Sequence, residues 1–381
     1  MRSPKNEGVR IDLPYGSHPC PLDLTGRDTT VLAPAPLADP PPVETLLERA
    51  LDESPLPHVA AGARVTVIVS DPTRKEPRAP LLAAIQRRLP AARITIAVAT
   101  GTHGPCDPTA LGLPGDLEII NHDGATCVVE LGTTARGTPV RVHRCVVDAD
   151  LVVATGCIRP HYFAGFGAGA KAIFPGLGER TAIRINHRLK TEARARAGIV
   201  DGNPCRDDLE DAVRLVRTPT FLLNAVCGPD DRVHAAVAGD LFTAFRRGAA
   251  IARPWFTVRA RRAPLVIASD ALPVTASLYQ AAKIAAAAAP LVEDSGTLVI
   301  AAQCPGGTGP LDVVNEAIFR IGVLPRLPPG ARLLLVSDLS PAVVATTLLA
   351  HAPSLPEVVA RTAGRIVVIP RASQLICEPT S

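Results

Sequence analysis

Short apolar runs alternate along the chain with longer stretches in which apolar residues recur every three or four positions. The runs VTVIVS (65–70), ITIAVA (94–99), LEIIN (117–121) and DLVVAT (150–155) predict strands. Between the first two, APLLAAIQRRL (79–89) predicts a helix whose basic residues in the last turn suit the helix dipole. This alternation is typical of strand–helix–strand units, so it predicts an α/β fold with mainly parallel sheets.

A second series of the same kind begins near residue 264. It contains the apolar runs PLVIAS, TLVIAA, RLLLVS and RIVVIP, the helical segments TASLYQAAKIAAAAA and LDVVNEAIFRIG, and PAVVATTLLAHA. Two series predict two α/β domains, at 1–255 and 263–370, followed by a tail at 371–381. Residues 228–262 have the pattern of one or two amphipathic helices and are expected to form a hinge. We expect the active site in the cleft between the two domains.

Composition narrows the class of protein. Hydrophobic residues make up 47% of the 381 positions and charged residues 20%, which is too apolar for a disordered chain and too long for one compact core. Asp, Arg, Pro or Gly interrupts every apolar run well before the ~18 residues of a membrane span. The N-terminus lacks the apolar stretch of a secretory signal. We therefore expect a cytoplasmic protein without a membrane partner.

The charge and the cysteine content exclude further classes of protein. The formal net charge is +4, the basic residues are scattered among acidic ones, and aromatic residues make up only 3%. Neither a basic stripe nor a stacking platform is evident, so nucleic acid is not the expected partner. The nine cysteines include no pair with CxxC spacing. We expect reduced thiols rather than a disulfide framework.

Polar residues follow the first two predicted strands. DPTR after VTVIVS contains Asp71, Thr73 and Arg74, and TGTHGP after ITIAVA contains His103. Ligands of open α/β sheets lie beyond the carboxyl ends of the strands, so both segments are candidates for a site. Taken alone, a helix N-cap and a solvated loop histidine are simpler interpretations.

The segment after DLVVAT carries the longest signal, GCIRPHYFAGFGAGAKAIFPGLGERTAIRINHRL (156–189). Its glycines surround Lys171, with His161 before the lysine and His187 after it. Glycines at this density let backbone N–H groups approach an anion or a flat cofactor closely. The segment is not a nucleotide P-loop, because alanines flank the lysine where GxxxxGK[ST] needs Gly and Ser or Thr. GFGAGA also fails the dinucleotide pattern GxGxxG.

In the second series, Gln280 and Lys283 are three residues apart near the start of a predicted helix. They share one helix face and could bind a carboxylate together, although such a pair is more often simply solvated. Lysine is rare in this chain, since only five of the 40 basic residues are lysines. Lys171 and Lys283 are two of the five. An arginine cannot replace a lysine that reacts as an amine, because its guanidinium stays protonated.

Taken together, these segments resemble the nickel-pincer lactate racemase family. The matching pieces are DPTR (71–74), GTH (101–103), PHYFAGFGAGAK (160–171), the His187 of NHRL, and LYQAAK (278–283), and their order and intervals match over most of the chain. The resemblance implies a racemase or epimerase that inverts carbon 2 of a 2-hydroxy acid by hydride transfer. It also implies a nickel complex of pyridinium-3,5-bisthiocarboxylic acid mononucleotide as cofactor, with cofactor-synthesis proteins as partners.

The resemblance implies a role for each matching residue. Lys171 is expected to tether the cofactor through a thioamide, and His187 to bind the nickel, which suits a d⁸ ion held by sulfur donors and one imidazole. His103 and His161 are the expected acid and base on opposite sides of the substrate. The remaining residues are expected to bind the substrate, namely Arg74, Tyr279, Gln280 and Lys283, or the cofactor, namely Asp71, Thr73, Phe163, Gly169 and Pro175.

The second domain departs from the family pattern. SDALPVTA (269–276) stands where close relatives have Gly-Gly-Tyr-Pro, a later turn reads QCPGGTGP (303–310), and no Trp or Tyr follows Tyr279. These differences bear on the substrate more than on the chemistry. Arg78 and Arg159 are candidate contacts for a second anionic group, although surface arginines are the simpler interpretation.

Two alternatives stay open. A nicotinamide-dependent dehydrogenase would need a strict GxGxxG with an acidic residue about twenty positions on, and this chain lacks that pattern. A non-catalytic homologue that binds a metal or a nucleotide would have no use for a pair of acid/base histidines. The oligomeric state cannot be predicted from the sequence.

Overall fold

The computed structural model describes residues 9–115 and 117–380. It divides the chain into two compact units. One is Pro36–Trp255, and the other joins Phe256–Ser381 to the N-terminal segment that ends at Ala35. The predicted domain 1–255 therefore differs from the structure in its first part, and the first eight residues of that range lie outside the description. Ser381, the last residue of the predicted tail, also lies outside it.

The strands are short and most belong to two six-stranded sheets. In chain order they are β1 Arg10–Pro14, β2 Pro19–Asp23, β3 Thr29–Val31, β4 Arg64–Ser70, β5 Arg93–Ala99, β6 Glu118–Asn121, β7 Val128–Thr133, β8 Pro139–His143, β9 Leu151–Ile158, β10 Pro160–His161, β11 Gly165–Phe166, β12 Thr220–Cys227, β13 Val233–Gly239, β14 Thr257–Arg261, β15 Ala263–Ser269, β16 Val292–Ala301, β17 Arg332–Val336, β18 Ala350–His351, β19 Ile366–Ile369 and β20 Ile376–Thr380.

The helices lie mainly in the connections between strands. The α-helices are α1 Val43–Glu53, α2 Arg78–Arg88, α3 Cys145–Asp148, α4 Arg180–Arg188, α5 Pro204–Arg214, α6 Thr243–Phe256, α7 Leu278–Ala288, α8 Pro341–Val344 and α9 Leu355–Ala360. Val313–Val323 forms a π-helix. The 3₁₀ turns are Pro108–Leu111, Gly169–Ala172, Leu189–Thr191, Val274–Ala276, Ala289–Leu291, Leu324–Arg326 and Ala372–Gln374.

The sheet of the Pro36–Trp255 unit has the order β13-β12-β9-β4-β5-β6, and all its pairs are parallel except β12 with β13. The chain runs from β4 outward to β6 and then returns to β9 on the other side of β4. The order therefore reverses between β4 and β9, which is where open α/β sheets bind ligands. One face packs on a core that contains Leu47, Leu81 and Ile85 from α1 and α2.

The sheet of the other unit has the order β18-β17-β16-β15-β19-β3 and is parallel throughout. Its central strands are buried on both faces, which explains their continuous apolar runs. The order reverses between β15 and β19. β3 extends this sheet beside β19, so the N-terminal segment packs here because it completes the sheet's edge.

The predicted α/β fold with mainly parallel sheets is confirmed, and two segments differ from the prediction. Residues 228–262, predicted as hinge helices, contain β13, α6 and β14. The first part is a strand because β13 pairs with β12 as an antiparallel edge strand of the first sheet. The predicted tail 371–381 contains β20, which pairs in parallel with β14. The segment PAVVATTLLAHA, for which no element type is predicted, begins with α8, and the hydroxyls of Thr346 and Thr347 just after this helix bond to carbonyl oxygens three residues back.

Two cysteines are joined by a disulfide, contrary to the expectation of reduced thiols. Cys157 lies near the end of β9 and Cys227 ends β12, and their Cα atoms are 6.1 Å apart. The two residues are 70 positions apart in the chain, so only the pairing of β9 with β12 brings them together. Among the described residues, no helix combines the length and apolar character that crossing a bilayer requires.

Candidate active site

The segments that follow β4 and β5 meet at an Asp–His pair. Asp71 Oδ2 lies 3.0 Å from His103 Nδ1, and Asp71 Oδ1 accepts hydrogen bonds from the Thr73 backbone N–H at 2.8 Å and from the Thr73 hydroxyl. Asp71 is buried and His103 is exposed. Burial alone would raise the pKa of Asp71, but the hydrogen bonds from His103 and Thr73 outweigh it and lower the pKa to about 2. An ionised carboxylate therefore orients the His103 ring.

Arg78 and Glu76 hold the loop that carries this pair. The Arg78 guanidinium is buried and donates to three backbone carbonyl oxygens, those of Ser70 at 2.8 Å, Arg74 at 2.9 Å, and Asp71. The Glu76 carboxylate accepts from the Ser70 N–H at 2.6 Å, and burial raises its pKa. Arg78 is thus a structural residue of this loop, contrary to the idea that it contacts a second anionic group of the substrate.

Lys171 lies in the 3₁₀ turn Gly169–Ala172 that follows β10 and β11. The side chain is only partly exposed. Burial lowers its pKa most, and the positive charges of Arg74 and Arg206 lower it further, to about 7. A large fraction of this amine is neutral at neutral pH, as a nucleophilic lysine requires.

The turn before Lys171 allows no side chain at Gly169. Its φ is +67°, and a Cβ atom there would lie 2.6 Å from Cδ2 of the Phe245 ring. Its N–H donates to Asn224 Oδ1 at 3.0 Å. Ala168, one residue earlier, also has a positive φ of 63°, which is uncommon for a residue other than glycine. The backbone here is held in a special conformation by its surroundings.

His161, Phe163 and His187 form a cluster of rings in the same unit. The Phe163 ring meets His161 edge-on at 4.6 Å and His187 at 4.9 Å between centroids. His161 Nδ1 accepts the Ala164 N–H at 3.2 Å. His187 Nδ1 is buried and forms no well-aligned hydrogen bond with the described part of the chain. Burial and the charge of Lys171 lower the pKa of His187 to about 3, and the Ile183 carbonyl opposes them weakly.

The Pro175 loop links the lysine segment to the histidine segment. Pro175 follows a cis peptide bond and is buried. The next residue, Gly176, donates its N–H to the Lys171 carbonyl at 3.0 Å and accepts the Gly101 N–H at 2.9 Å. Gly101 lies two residues before His103. Backbone hydrogen bonds therefore connect the chain segments of Lys171 and His103.

Tyr279, Gln280 and Lys283 lie on α7 in the other unit, and they are described by themselves. Lys283 Nζ donates to Gln280 Oε1 at 2.6 Å, which confirms that the two side chains share one helix face. Tyr279 is 38% exposed. The two segments that depart from the family pattern meet at the start of this helix, because the Tyr279 N–H bonds to the Thr308 carbonyl at 3.0 Å and the Gly306 N–H to the Ala276 carbonyl at 2.7 Å.

Sequence reasoning did not identify several residues that support the site. Besides Glu76 they include Asn203, Arg206 and Asn224, all fully buried. Asn203 caps α5 through bonds from the N–H groups of Cys205 and Arg206, and Pro204 occupies the first helical position. An Asn-Pro pair signals a helix start, so α5 could have been predicted. Arg159 pairs with Asp231 on the loop before β13. In the described part of the chain, no group of three or more His, Cys, Asp or Glu side chains could hold a metal ion.

Known proteins resemble this chain over most of its length. Residues 15–198 match the model of the lactate racemase N-terminal domain. A lactate racemase of Thermoanaerobacterium thermosaccharolyticum is 28% identical over 348 residues, which cover 82% of each chain. A lactate racemase of Lactiplantibacillus plantarum is 28% identical over 324 residues, covering 79% of this chain and 76% of that one.

Solved structures give the same result. The lactate racemase apoprotein from T. thermosaccharolyticum superposes with a TM-score of 0.82 at 25% identity, covering 97% of this chain and all of that one. A Thermotoga maritima protein shares the fold at a TM-score of 0.62 and 14% identity, with 88% of this chain covered. The match extends over both units and includes the segments that hold Asp71, His103, Lys171 and His187. These similarities support a member of the lactate racemase family and indicate an isomerase, a racemase.

Proposed function

We propose that this enzyme racemises a 2-hydroxy acid with a nickel-pincer nucleotide as cofactor, and that lactate is the first substrate to test. The observation that carries the proposal is the Asp71–His103 pair joined by backbone hydrogen bonds to the segment of a low-pKa lysine. The relatives in this family are named lactate racemases. A racemase needs an acid and a base that exchange roles between the two directions, and histidine serves both.

Two residues fit the cofactor. His187 presents a buried ring nitrogen without a well-aligned partner among the described residues, as expected of a side chain that binds a metal. Lys171 has a lowered pKa, so its neutral amine could condense with a thiocarboxylate of the cofactor to form a thioamide, with the carboxyl oxygen leaving as water. The Phe163 ring contacts His187 in a T-shaped arrangement and can line the cofactor site. When bound, the nickel complex would supply a hydride acceptor, so that carbon 2 could pass through a planar 2-keto acid.

The two histidines start from different protonation arrangements. Asp71 accepts the Nδ1 proton of His103, so the Nε2 of a neutral His103 is free of its own proton and can take the proton of the substrate hydroxyl. His161 Nδ1 accepts a backbone N–H, so a neutral His161 carries its proton on Nε2 and can donate it. One ring is thus arranged as base and the other as acid, and the roles reverse in the opposite direction.

Asp71 is better suited to orient His103 than to contact a cofactor phosphate. Its carboxylate is ionised, and a negative charge repels phosphate. Thr73, with a hydroxyl and a backbone N–H, remains a phosphate-binding candidate, as do the backbone groups near Gly169 and Pro175. Arg74 on the exposed loop and the Gln280–Lys283 pair on α7 are the proposed partners of the substrate carboxylate, with Tyr279 lining the pocket.

The experiment is chiral chromatography over a panel of 2-hydroxy acids, lactate first, in deuterated water. The enzyme is co-expressed with cofactor-synthesis proteins. Racemisation without deuterium at carbon 2 is expected, because the hydrogen moves as a hydride and does not exchange with solvent. Full deuterium incorporation would contradict hydride transfer. Net oxidation that depends on added nicotinamide would favour the dehydrogenase instead.

The tether has its own test. Intact-protein mass spectrometry should show an adduct on the wild type and none on Lys171→Arg, which keeps the charge but lacks a nucleophilic amine. Turnover should fall by roughly 10³-fold or more. Lys75→Arg is the matched control, because Lys75 lies in the same unit and only pairs with Asp231 on the surface. An unmodified wild-type protein without nickel would contradict the proposed cofactor.

A further inference from the structure

Arg206 is the largest side chain that is fully buried in the described part of the molecule. Its Nε donates to the Ala164 carbonyl at 3.2 Å, one terminal nitrogen to the Phe166 carbonyl, and the other to the Ala168 carbonyl at 3.5 Å. The guanidinium carbon lies 4.2 Å from the centre of the Phe245 ring. A buried cation is costly unless its donors are satisfied, and here backbone carbonyls and an aromatic face satisfy them.

The three carbonyls belong to alternate residues of one loop, which leads directly into the turn of Lys171. This loop needs outside support, because Gly165, Ala168 and Gly169 all have positive φ. A planar guanidinium with a fixed fork of donors can bond several carbonyls at once and so fix their relative positions. Lysine, with one nitrogen, cannot reproduce that fork.

Side chains at the start of α5 bond to both ends of this loop. Asn203, the N-cap of α5, donates its amide to the Phe163 carbonyl at 2.9 Å. It also caps the N–H of Arg206 at 3.2 Å. The Phe245 ring contacts the Arg206 guanidinium on one side and excludes a Cβ at Gly169 on the other. The start of α5, together with the Phe245 ring, therefore fixes the loop from Phe163 to Gly169.

From this geometry we infer that Arg206 is a positioning residue, which holds the Ala164–Ala168 backbone in the shape that presents Lys171 to the cofactor. The inference rests on the proposed function as far as the cofactor is concerned. Its backbone part does not depend on the cofactor. The charge of Arg206 also helps to lower the pKa of Lys171, in keeping with this arrangement.

The test compares Arg206→Met, Arg206→Lys and Arg214→Met with the wild-type full chain. Arg214 lies on the same helix and its guanidinium carbon is 4.7 Å from the centre of the Phe242 ring, but its side chain is half-exposed and pairs with Glu210 and Asp211. Arg214→Met therefore removes a guanidinium and a ring contact from α5 without touching the loop. Hydrogen–deuterium exchange is read on the loop amides, including those of Gly167 and Gly169, in protein without cofactor.

For Arg206→Met we expect loop exchange at least about tenfold faster than in the wild type, with smaller changes in the β4 and β9 amides. Arg206→Lys should fall between the two, and Arg214→Met should match the wild type. Wild-type loop exchange in Arg206→Met, or equal acceleration in Arg214→Met, would overturn the inference. If Arg206→Met does not fold, Arg206→Lys decides, and wild-type exchange in that variant would overturn it.

The second readout is the yield of the Lys171 adduct after co-expression with cofactor-synthesis proteins, measured by mass spectrometry on folded protein. A positioning role predicts a yield at least about tenfold lower in Arg206→Met, with partial recovery in Arg206→Lys. A wild-type yield in Arg206→Met would show that Arg206 only stabilises the fold. If the wild type itself forms no adduct, the proposed function fails, while the exchange measurement still decides the role of Arg206.

Discussion

At the end of β4 in the Pro36–Trp255 unit, a candidate catalytic side chain bonds to a buried, ionised group whose own loop is fixed by Arg78 and Glu76. At the start of α7 in the other unit, the candidate substrate ligands Gln280 and Lys283 bond to each other on a helix face beside an exposed Tyr279. Both sets lie at the carboxyl ends of parallel strands, yet their support differs. The first arrangement suits chemistry that needs fixed geometry. The second suits the binding of substrates that share a carboxylate and differ in the groups beside it.

Asp71→Asn tests the Asp71–His103 pair and has the largest expected effect on turnover. An asparagine cannot supply the charge that holds the His103 Nδ1 proton, so the ring can adopt the wrong tautomer. We expect kcat to fall by roughly 10²–10⁴-fold with little change in KM, measured by chiral chromatography on the loaded enzyme. Adduct formation at Lys171 should persist.

The control for this change is Asp230→Asn. Asp230 also lies 3.0 Å from a histidine of the same unit, His234, which packs on Trp255. Losing this pair should leave kcat within about twofold of the wild type. Comparable losses in both variants would mean that Asp–His pairs of this unit act through stability, and the contrast drawn above would fail.

Lys283→Met tests the Gln280–Lys283 pair on α7 and should mainly weaken the binding of the substrate. Losing a charged hydrogen-bond partner of a carboxylate costs about 1.5–3 kcal/mol, which corresponds to roughly a 10–150-fold increase in KM. The loss in kcat should be smaller than that of Asp71→Asn. Steady-state measurements of kcat and KM test both expectations. Arg320→Met, on the exposed π-helix of the same unit, is the matched control for charge.

The departures near α7 explain why the sequence predicts the substrate less well than the chemistry. Segments 269–276 and 303–310 are far apart in the chain and are joined by backbone hydrogen bonds at the helix start. By contrast, β4, β5, β9 and α2 carry regular local patterns, and each lies within a few residues of its predicted position. The Gln280–Lys283 contact followed from helix geometry alone.

Other features depend on long-range packing and leave no local signal. Arg206 is one of many arginines in the chain, and nothing in its neighbours along the sequence distinguishes it. Its three carbonyl partners lie about forty residues earlier. The same holds for β3 beside β19 and for Cys157 with Cys227, which meet only once the strand order is known. Periodicity predicts which strands exist but not their order in the sheet.

The two units should also differ in their response to acid, and this is the smallest of the expected effects. His122 and His143 in the Pro36–Trp255 unit meet edge-on with centroids 5.6 Å apart, and burial lowers the pKa of both. A folded-state pKa below the unfolded value of ~6.5 means that the unfolded chain binds more protons, so stability is lost as pH falls below that value. Burial raises the pKa of Asp270 in the other unit and of Glu76 in the Pro36–Trp255 unit, and both shifts have the opposite sign, so the buried histidines are what distinguishes the two units.

Between pH 7 and 5, protection against hydrogen exchange, corrected for the intrinsic amide exchange rate at each pH, should therefore fall more in the Pro36–Trp255 unit than in the other. His122→Gln sharpens this test, because a neutral amide can still donate to the Gly178 carbonyl that His122 Nε2 contacts at 2.9 Å. The variant should lose part of the acid sensitivity, so its unfolding midpoint should fall less between pH 7 and pH 5 than that of the wild type. His351→Gln, in the other unit, is the matched control for the substitution itself. Equal acid sensitivity of the two units would show that the buried histidines do not govern it.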